Sequence, residues 1–381
     1  MSSKLMRSQR SAPVILILAL MVQSLFGYAQ QASSESLYND AVKAYNRGDV
    51  PQAIKLYQEF LQKNPASVRA RTNLGVALIH EGRYGDAILQ YKEALKVDPQ
   101  NQTVQLDLAL AWYKQADFPK AASELATLQK RQPENQQILY LLVDCYLRLG
   151  KYKDVVAMLD PVYQARRADP VVDYALGTAL IEDGQMQRGQ AVIQQILKNG
   201  HTAEAALLTG ASQYSSGDFK TAAATVRGAL DSNPNLPGGW TLLGRALMSS
   251  GENDAAKSAF RHALANDPND FDANLYLGGM LRHDSENDAA TPYLNRALTL
   301  RPDSPTARFQ VGALNLANGN LDKARKELEA VERQTPGFLE VHVQLASLYA
   351  KLNRPQDSER ERKIVLALNE KARREGPQPE R

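Results

Sequence analysis

The chain has 381 residues and 45 Lys and Arg against 42 Asp and Glu. Lys4, Arg7 and Arg10 fall within positions 1–29, which hold no acid, so 45 less three leaves 42 bases against 42 acids in the remainder. A neutral remainder gives no electrostatic case for a nucleic-acid partner or an anionic membrane surface, and the single cysteine, Cys145, excludes an intramolecular disulfide.

Lys4, Arg7 and Arg10 precede an apolar run from Val14 to Phe26, and Gly27-Tyr28-Ala29 then supplies small residues at the two positions that cleavage requires. The pattern reads as a secretory signal peptide over residues 1–29. The apolar run is shorter than the roughly 20 residues of a membrane span, which leaves an uncleaved N-terminal anchor as the alternative. No cysteine follows the run to carry a lipid. Residues 30–33 are a short polar link, and 375–381, with Pro377 and Pro379, are expected to be a disordered tail.

Between them the chain repeats itself. Pro65, Pro99 and Pro133 recur at one fixed interval, and Pro234, Pro268, Pro302 and Pro336 recur at the same interval; the gap from Pro133 to Pro234 is three such periods less a single position. Gly48, Gly82, Gly150, Gly184, Gly217, Gly251 and Gly319 stand half a period before the proline slot, where the chain must turn and Gly takes positive φ without steric cost. Alanine-rich segments with apolar residues at helical spacing lie between, so each period reads as helix, turn, helix, turn. The array runs from residue 34 to 374 without a linker and ends in a capping helix, with Glu359-Arg360-Glu361-Arg362-Lys363 as its polar outer face.

The clearest repeat contains Trp240, Leu243-Gly244, Leu247, Ala256, Phe260, Ala263 and Pro268, and it resembles the tetratricopeptide repeat. On that frame ten repeats begin near Ser34, Val68, Gln102, Gln136, Pro170, Ala203, Pro237, Phe271, Pro305 and Leu339. Their eighth position holds Gly or Ala in nine of ten, and their twentieth is Ala in seven; glycine inside a helix costs about 1 kcal/mol relative to alanine, so close helix contact is the reason for it. The resemblance implies an all-α fold, an α-solenoid wound as a right-handed superhelix.

In the tetratricopeptide family the first helix of each repeat lines the concave surface through its second, fifth, sixth, ninth, twelfth and thirteenth positions. Carried over, those slots give Tyr38, Tyr45, Tyr113, Tyr140, Tyr174 and Tyr214, which offer broad contact area at small entropic cost or else pack against the neighbouring helix. The sixth slot also gives Asn39, Asn73 and Asp107, and later Gln310 and Gln344, side chains able to hydrogen-bond an extended peptide. The family's chaperone-tail clamp needs lysine and asparagine where this chain has Tyr38 and Val42. Arg245 and Arg282, in adjacent repeats, are an alternative anchor for a carboxylate.

No nucleophile elbow, phosphate-binding loop, dinucleotide fingerprint or zinc-protease motif occurs. The five histidines, His80, His201, His262, His283 and His342, lie in different repeats without a second His or Cys at metal-ligand spacing, and each is expected in a turn or at the surface. No cofactor, no metal and no catalysis are expected. The reading is an exported scaffold for a protein or peptide partner; the alternative is an assembly factor of an envelope secretion or polysaccharide-export complex, acting through oligomerisation, although nothing in the sequence indicates a homo-oligomer.

Overall fold

A repeat that buries its apolar stripe twice in each period must fold back on itself twice, and it does so throughout the computed structural model, which describes residues 35–165 and 169–375. The signal segment, the link and the tail beyond Glu375 lie outside the described residues. Twenty helices and no strand occur among the described residues. They fall into two compact units that part between Leu142 and Val143.

The first compact unit holds α1 (35–46), α2 (Val50–Lys63), α3 (Val68–His80), α4 (Tyr84–Val97), α5 (Gln102–Lys114) and α6 (Phe118–Arg131). The parting point lies within α7 (Gln136–Arg148). The second holds α8 (Tyr152–Gln164), α9 (Pro170–Glu182), α10 (Met186–Lys198), α11 (Thr202–Ser215), α12 (Phe219–Ser232), α13 (Gly239–Ser249) and α14 (Asn253–Asn266). It continues with α15 (Phe271–His283), α16 (Asn287–Leu300), α17 (Pro305–Ala317), α18 (Leu321–Gln334), α19 (Leu339–Lys351) and α20 (Pro355–Glu375).

All ten turns within repeats close in the same way. The amide after the turn residue donates to the carbonyl five residues back, from Asp49 to Ala44 at 3.0 Å through Glu252 to Leu247 at 2.8 Å to Arg354 to Tyr349 at 2.9 Å. The turn residue's own amide donates three residues back, as Gly48 does to Tyr45 at 2.9 Å. This pair of hydrogen bonds is the Schellman closure, and it needs a left-handed residue. Seven repeats supply glycine there, and the three that do not put Ala116, Ser285 and Asn353 into the same conformation, at φ 60°, 66° and 55°.

The left-handed region costs a side-chain-bearing residue about 1–2 kcal/mol, partly offset by glycine's greater freedom in the unfolded chain, about 0.5–1 kcal/mol. Ser285 is exposed, so Ser285→Gly should stabilise the protein by about 0.5–1 kcal/mol in urea denaturation. Ala116→Gly should gain less, because the Ala116 methyl is buried. A loss of stability in Ser285→Gly would show that the turn does not demand this backbone.

The small residues at the eighth position are contact points. A Cβ on Gly244 would stand 2.6 Å from the ring of Phe260, one on Gly210 2.5 Å from Val226, and one on Gly312 2.8 Å from Leu328. In these three the partner is the twenty-fourth residue of the same repeat, whereas a Cβ on Gly177 would first meet Leu208 of the next repeat, at 2.7 Å. The twentieth-position residues, among them Ala53, Ala222, Ala256 and Ala324, are fully buried.

A further rule at the fourth position was not visible in the sequence. There Arg71, Gln105, Trp240, Asn274 and His342 each donate to the carbonyl of the proline six residues earlier, at 2.8 to 3.1 Å. Five different side chains satisfy one orphaned carbonyl at the end of the preceding helix. The tryptophan of the repeat signature therefore serves as a cap: its indole donates to Pro234 while its ring stacks on His262 at 4.6 Å.

His342 corrects the expectation for the histidines, since it is buried within the last repeat. Its Nδ1 meets the carboxylate of Glu361 at 2.7 Å, and Glu361 is also completely buried. Glu361 thus does not belong to the polar outer face expected of residues 359–363; it turns inward and Arg362 outward. Below it Ser358 donates to the Ala346 carbonyl at 2.7 Å, filling the twentieth position where other repeats have alanine.

Candidate functional site

In the first compact unit two of the expected groove residues, Tyr38 and Asn73, bond to each other, and others pack within the fold. Tyr38 stands at the second turn of α1, its ring against Tyr57 and Phe60 at 5.9 and 5.5 Å, with the Arg69 guanidinium 4.0 Å above it. Asn73, one repeat on, donates through Nδ2 to the Tyr38 hydroxyl at 2.8 Å and to the Tyr57 hydroxyl at 3.3 Å. Its amide is therefore engaged within the fold. Asn39 is exposed on α1, and Tyr45 meets the edge of His80 at 6.3 Å. Asp107 is half-buried on α5, and burial raises its pKa above the ordinary carboxylate value. Tyr113 packs edge-on to Phe118 at 5.6 Å, and Tyr140 is half-buried on α7.

In the second compact unit the expected residues divide. Tyr174, Tyr214 and Arg245 share a neighbourhood: the Arg245 guanidinium lies 4.6 Å over the Tyr214 ring, and Tyr174 and Arg245 both line one recess. Arg282 stands apart, donating to the Gln310 side chain at 2.9 Å, and burial lowers its pKa. The paired-arginine anchor is not assembled, because Arg245 is bound to Glu182 at 3.1 Å and Arg282 to an amide.

The recess has a volume of about 620 Å³ and is walled by helices of repeats four to eight. Tyr152 at the start of α8, Tyr174 on α9, Trp240 on α13 and Phe271 on α15 give it aromatic sides. The Tyr174 hydroxyl donates to the Pro237 carbonyl at 2.9 Å, which aims its ring along the wall. Arg148 of α7 bonds Asp144 at 2.7 Å and reaches Asp267, far along the chain, also at 2.7 Å. Arg301 donates through Nε to the Arg148 carbonyl at 2.5 Å and lies over the Phe271 ring at 4.0 Å.

The charged groups of the recess act on one another. Burial alone would depress the Arg245 guanidinium, yet the Glu182 and Asp272 carboxylates hold its pKa above the ordinary value. The Tyr152 hydroxyl is pushed up to about 12, first by burial and then by the same two carboxylates. Asp272, half-buried at the rim, forms no hydrogen bond or ion pair with any described residue.

Arg148, Glu182 and Asp272 stand at the thirteenth, thirteenth and second positions of their repeats, slots that the family frame already named. Reading those slots for charge as well as for tyrosine and amides would have found them. Tyr152 opens a second helix and Arg301 follows one, so no first-helix frame could have placed them.

One cluster has the composition of a metal site: ligand atoms of Glu332, His342 and Glu361 lie within 4.8 Å of one another. Both His342 nitrogens are already committed, to Glu361 and to the Pro336 carbonyl, so the cluster is accounted for as the hydrogen-bonded pair that seats the last helix. Cys145 is buried and its thiol is pushed up to about 12, chiefly by burial, which makes it a poor nucleophile.

Comparison with known proteins follows the same lines. One tetratricopeptide repeat model matches residues 38–102, 174–237 and 241–305, and a second matches 78–142 and 281–352. No curated protein sequence matches the chain. Among solved structures, that of the APC/C hetero-tetramer Cut9-Hcn1 is similar at 16% identity and TM-score 0.56, over 88% of this chain and 74% of that one. YrrB, described as a TPR protein with an unusual peptide-binding site, aligns at 23% identity and TM-score 0.40 over 46% of this chain and 90% of its own. MamA from Desulfovibrio magneticus RS-1 aligns at 18% and 0.40 over 44% and 96%. With the repeat models matching more than half of its length and every repeat closing on the same pair of helices, the chain belongs to the tetratricopeptide repeat family, an all-α fold whose work is protein–protein interaction.

Proposed function

We propose that the chain is an exported, non-catalytic scaffold that holds a segment of a partner protein in the recess of its second compact unit. The observation that carries this reading is the recess itself: about 620 Å³ of space walled by Tyr152, Tyr174, Trp240 and Phe271, a size and an aromatic lining that suit an extended segment. The export half rests on residues 1–29, with their basic start, apolar run and Ala29. No helix among the described residues is long and apolar enough to cross a membrane.

A photo-crosslinking residue in place of Tyr174, compared with one in place of the exposed Leu89, tests the reading in native cells. The Tyr174 position should capture one heterologous protein that the Leu89 position does not. Capture of a second copy of this chain from Tyr174 would instead support the assembly-factor alternative, and equal capture from both positions would remove the recess as the site. The same material should begin near Gln30; Met1 retained in a membrane fraction would replace export by anchoring.

A further inference from the structure

Resting on that reading, the charge inside the recess identifies what it holds: we propose that it takes a basic side chain, arginine or lysine, presented by the partner segment. Every fixed cation of the recess already has at least one partner. Arg148 lies between Asp144 and Asp267, Arg245 on Glu182 and the Tyr214 ring, Arg301 on a backbone carbonyl and the Phe271 ring. The Arg245 Nε has no partner and is closed off from the recess surface, and an entering carboxylate would have to compete with the five carboxylates of the lining for these three guanidiniums.

The acids are not all spent. Asp270 is taken up by the Thr241 hydroxyl at 2.5 Å and the Ala273 amide at 2.9 Å. Asp272 hydrogen-bonds to no described residue, and Glu182 uses only one oxygen, on Arg245. The recess is lined by five carboxylates and three guanidiniums, and the Tyr152 hydroxyl, raised chiefly by burial, is raised further by Glu182 and Asp272.

A cation is expensive to bury unless carboxylates receive it, and here two can. The aromatic wall formed by Tyr152, Tyr174 and Trp240 suits the apolar stem of arginine or lysine and adds attraction to its charged head. Arginine should be favoured over lysine, since its planar group can reach two carboxylates at once and stack on a ring.

The probes are two short Gly-Ser peptides, acetylated and amidated, one with a central Arg-Tyr-Arg and the other with Glu-Tyr-Glu, titrated into the purified chain by calorimetry. The Arg peptide should bind at least about tenfold more tightly than the Glu peptide, and Asp272→Asn should remove most of that preference. Because Asp272 makes no internal hydrogen bond and acts on Arg245 and the start of α15 only through its charge, Asp272→Asn should melt only slightly below the wild type and stay folded through the titration, which separates lost binding from lost folding. Binding of the Arg peptide should also weaken with salt.

Equal or tighter binding of the Glu peptide, or an Arg preference unchanged in Asp272→Asn, overturns the proposal. So does failure of the Arg peptide to bind at about 1 mM. None of these results touches the crosslinking from Tyr174, which decides separately whether the recess is a protein-binding site.

Discussion

Gly244→Leu is expected to lower the melting temperature by several degrees, while Lys220→Ala, on an exposed face of α12, leaves it nearly unchanged. The added side chain has no place to go. Its Cβ alone would lie 2.6, 2.7 and 2.9 Å from three atoms of the Phe260 ring, and Phe260 is fully buried and stacked on Tyr276 at 5.7 Å. Overpacking of this kind costs about 1–3 kcal/mol or more, against a helix-propensity gain of about 1 kcal/mol for replacing glycine. Surface substitutions usually stay within about 0.5 kcal/mol. Because a repeat packs chiefly against its neighbours, hydrogen exchange should speed up most in α13 and α14. Indistinguishable melting of the two variants would mean that Gly244 does not sit at a helix contact.

Glu361→Ala should be the most damaging single change in the last repeat. The Pro336 carbonyl can only accept, so His342 Nε2 carries a hydrogen, and the 2.7 Å contact at Nδ1 holds another proton between ring and carboxylate. Arg360 completes the group, donating to the other Glu361 oxygen at 2.8 Å. Removing one member of a buried pair leaves the other without compensation and costs about 3–5 kcal/mol. Replacing both, as in His342→Leu with Glu361→Leu, should recover part of the loss, since two apolar side chains carry no such penalty. The readout is amide exchange across α19 and α20, where the core of Leu345, Leu348 and Tyr349 is sealed. Protection in Glu361→Ala equal to that of the wild type would show that the pair does not hold the last helix in place.

The fold was legible because one physical demand recurs at one spacing. Repeat starts placed at Val68, Gln102, Gln136, Pro170, Phe271, Pro305 and Leu339 coincide with the first residues of α3, α5, α7, α9, α15, α17 and α19. The one clear offset is at Pro237, where helix α13 waits until Gly239 because Gly238 turns with φ 73°. Contacts between neighbouring repeats were less legible: Asn73 has the slot of a ligand-binding amide, yet Tyr38, in the repeat before it, takes its donor. Contacts between distant repeats were not legible at all. That Arg148 meets Asp267 and Arg301 depends on how several helix pairs stack in succession, and no local pattern carries that sum. His342 was misplaced for another reason, since His at the fourth position does the capping work of Trp240, and the equivalence lies in a hydrogen bond, not in residue type.

The uniform closure of the ten turns has a consequence for how such a gene can lengthen or shorten. Each turn ends on the same pair of backbone bonds whether the residue at its apex is glycine, alanine, serine or asparagine. An in-frame crossover between two turns would therefore join two chain ends of the same shape, removing or copying a whole number of helix pairs without creating a new kind of junction. The backbone leaves array length open to recombination, whereas the recess depends on which pairs lie between Arg148 and Arg301. Removing a pair from that interval would keep the fold and lose the site, while removing one from α17–α18 would leave the recess walls in place.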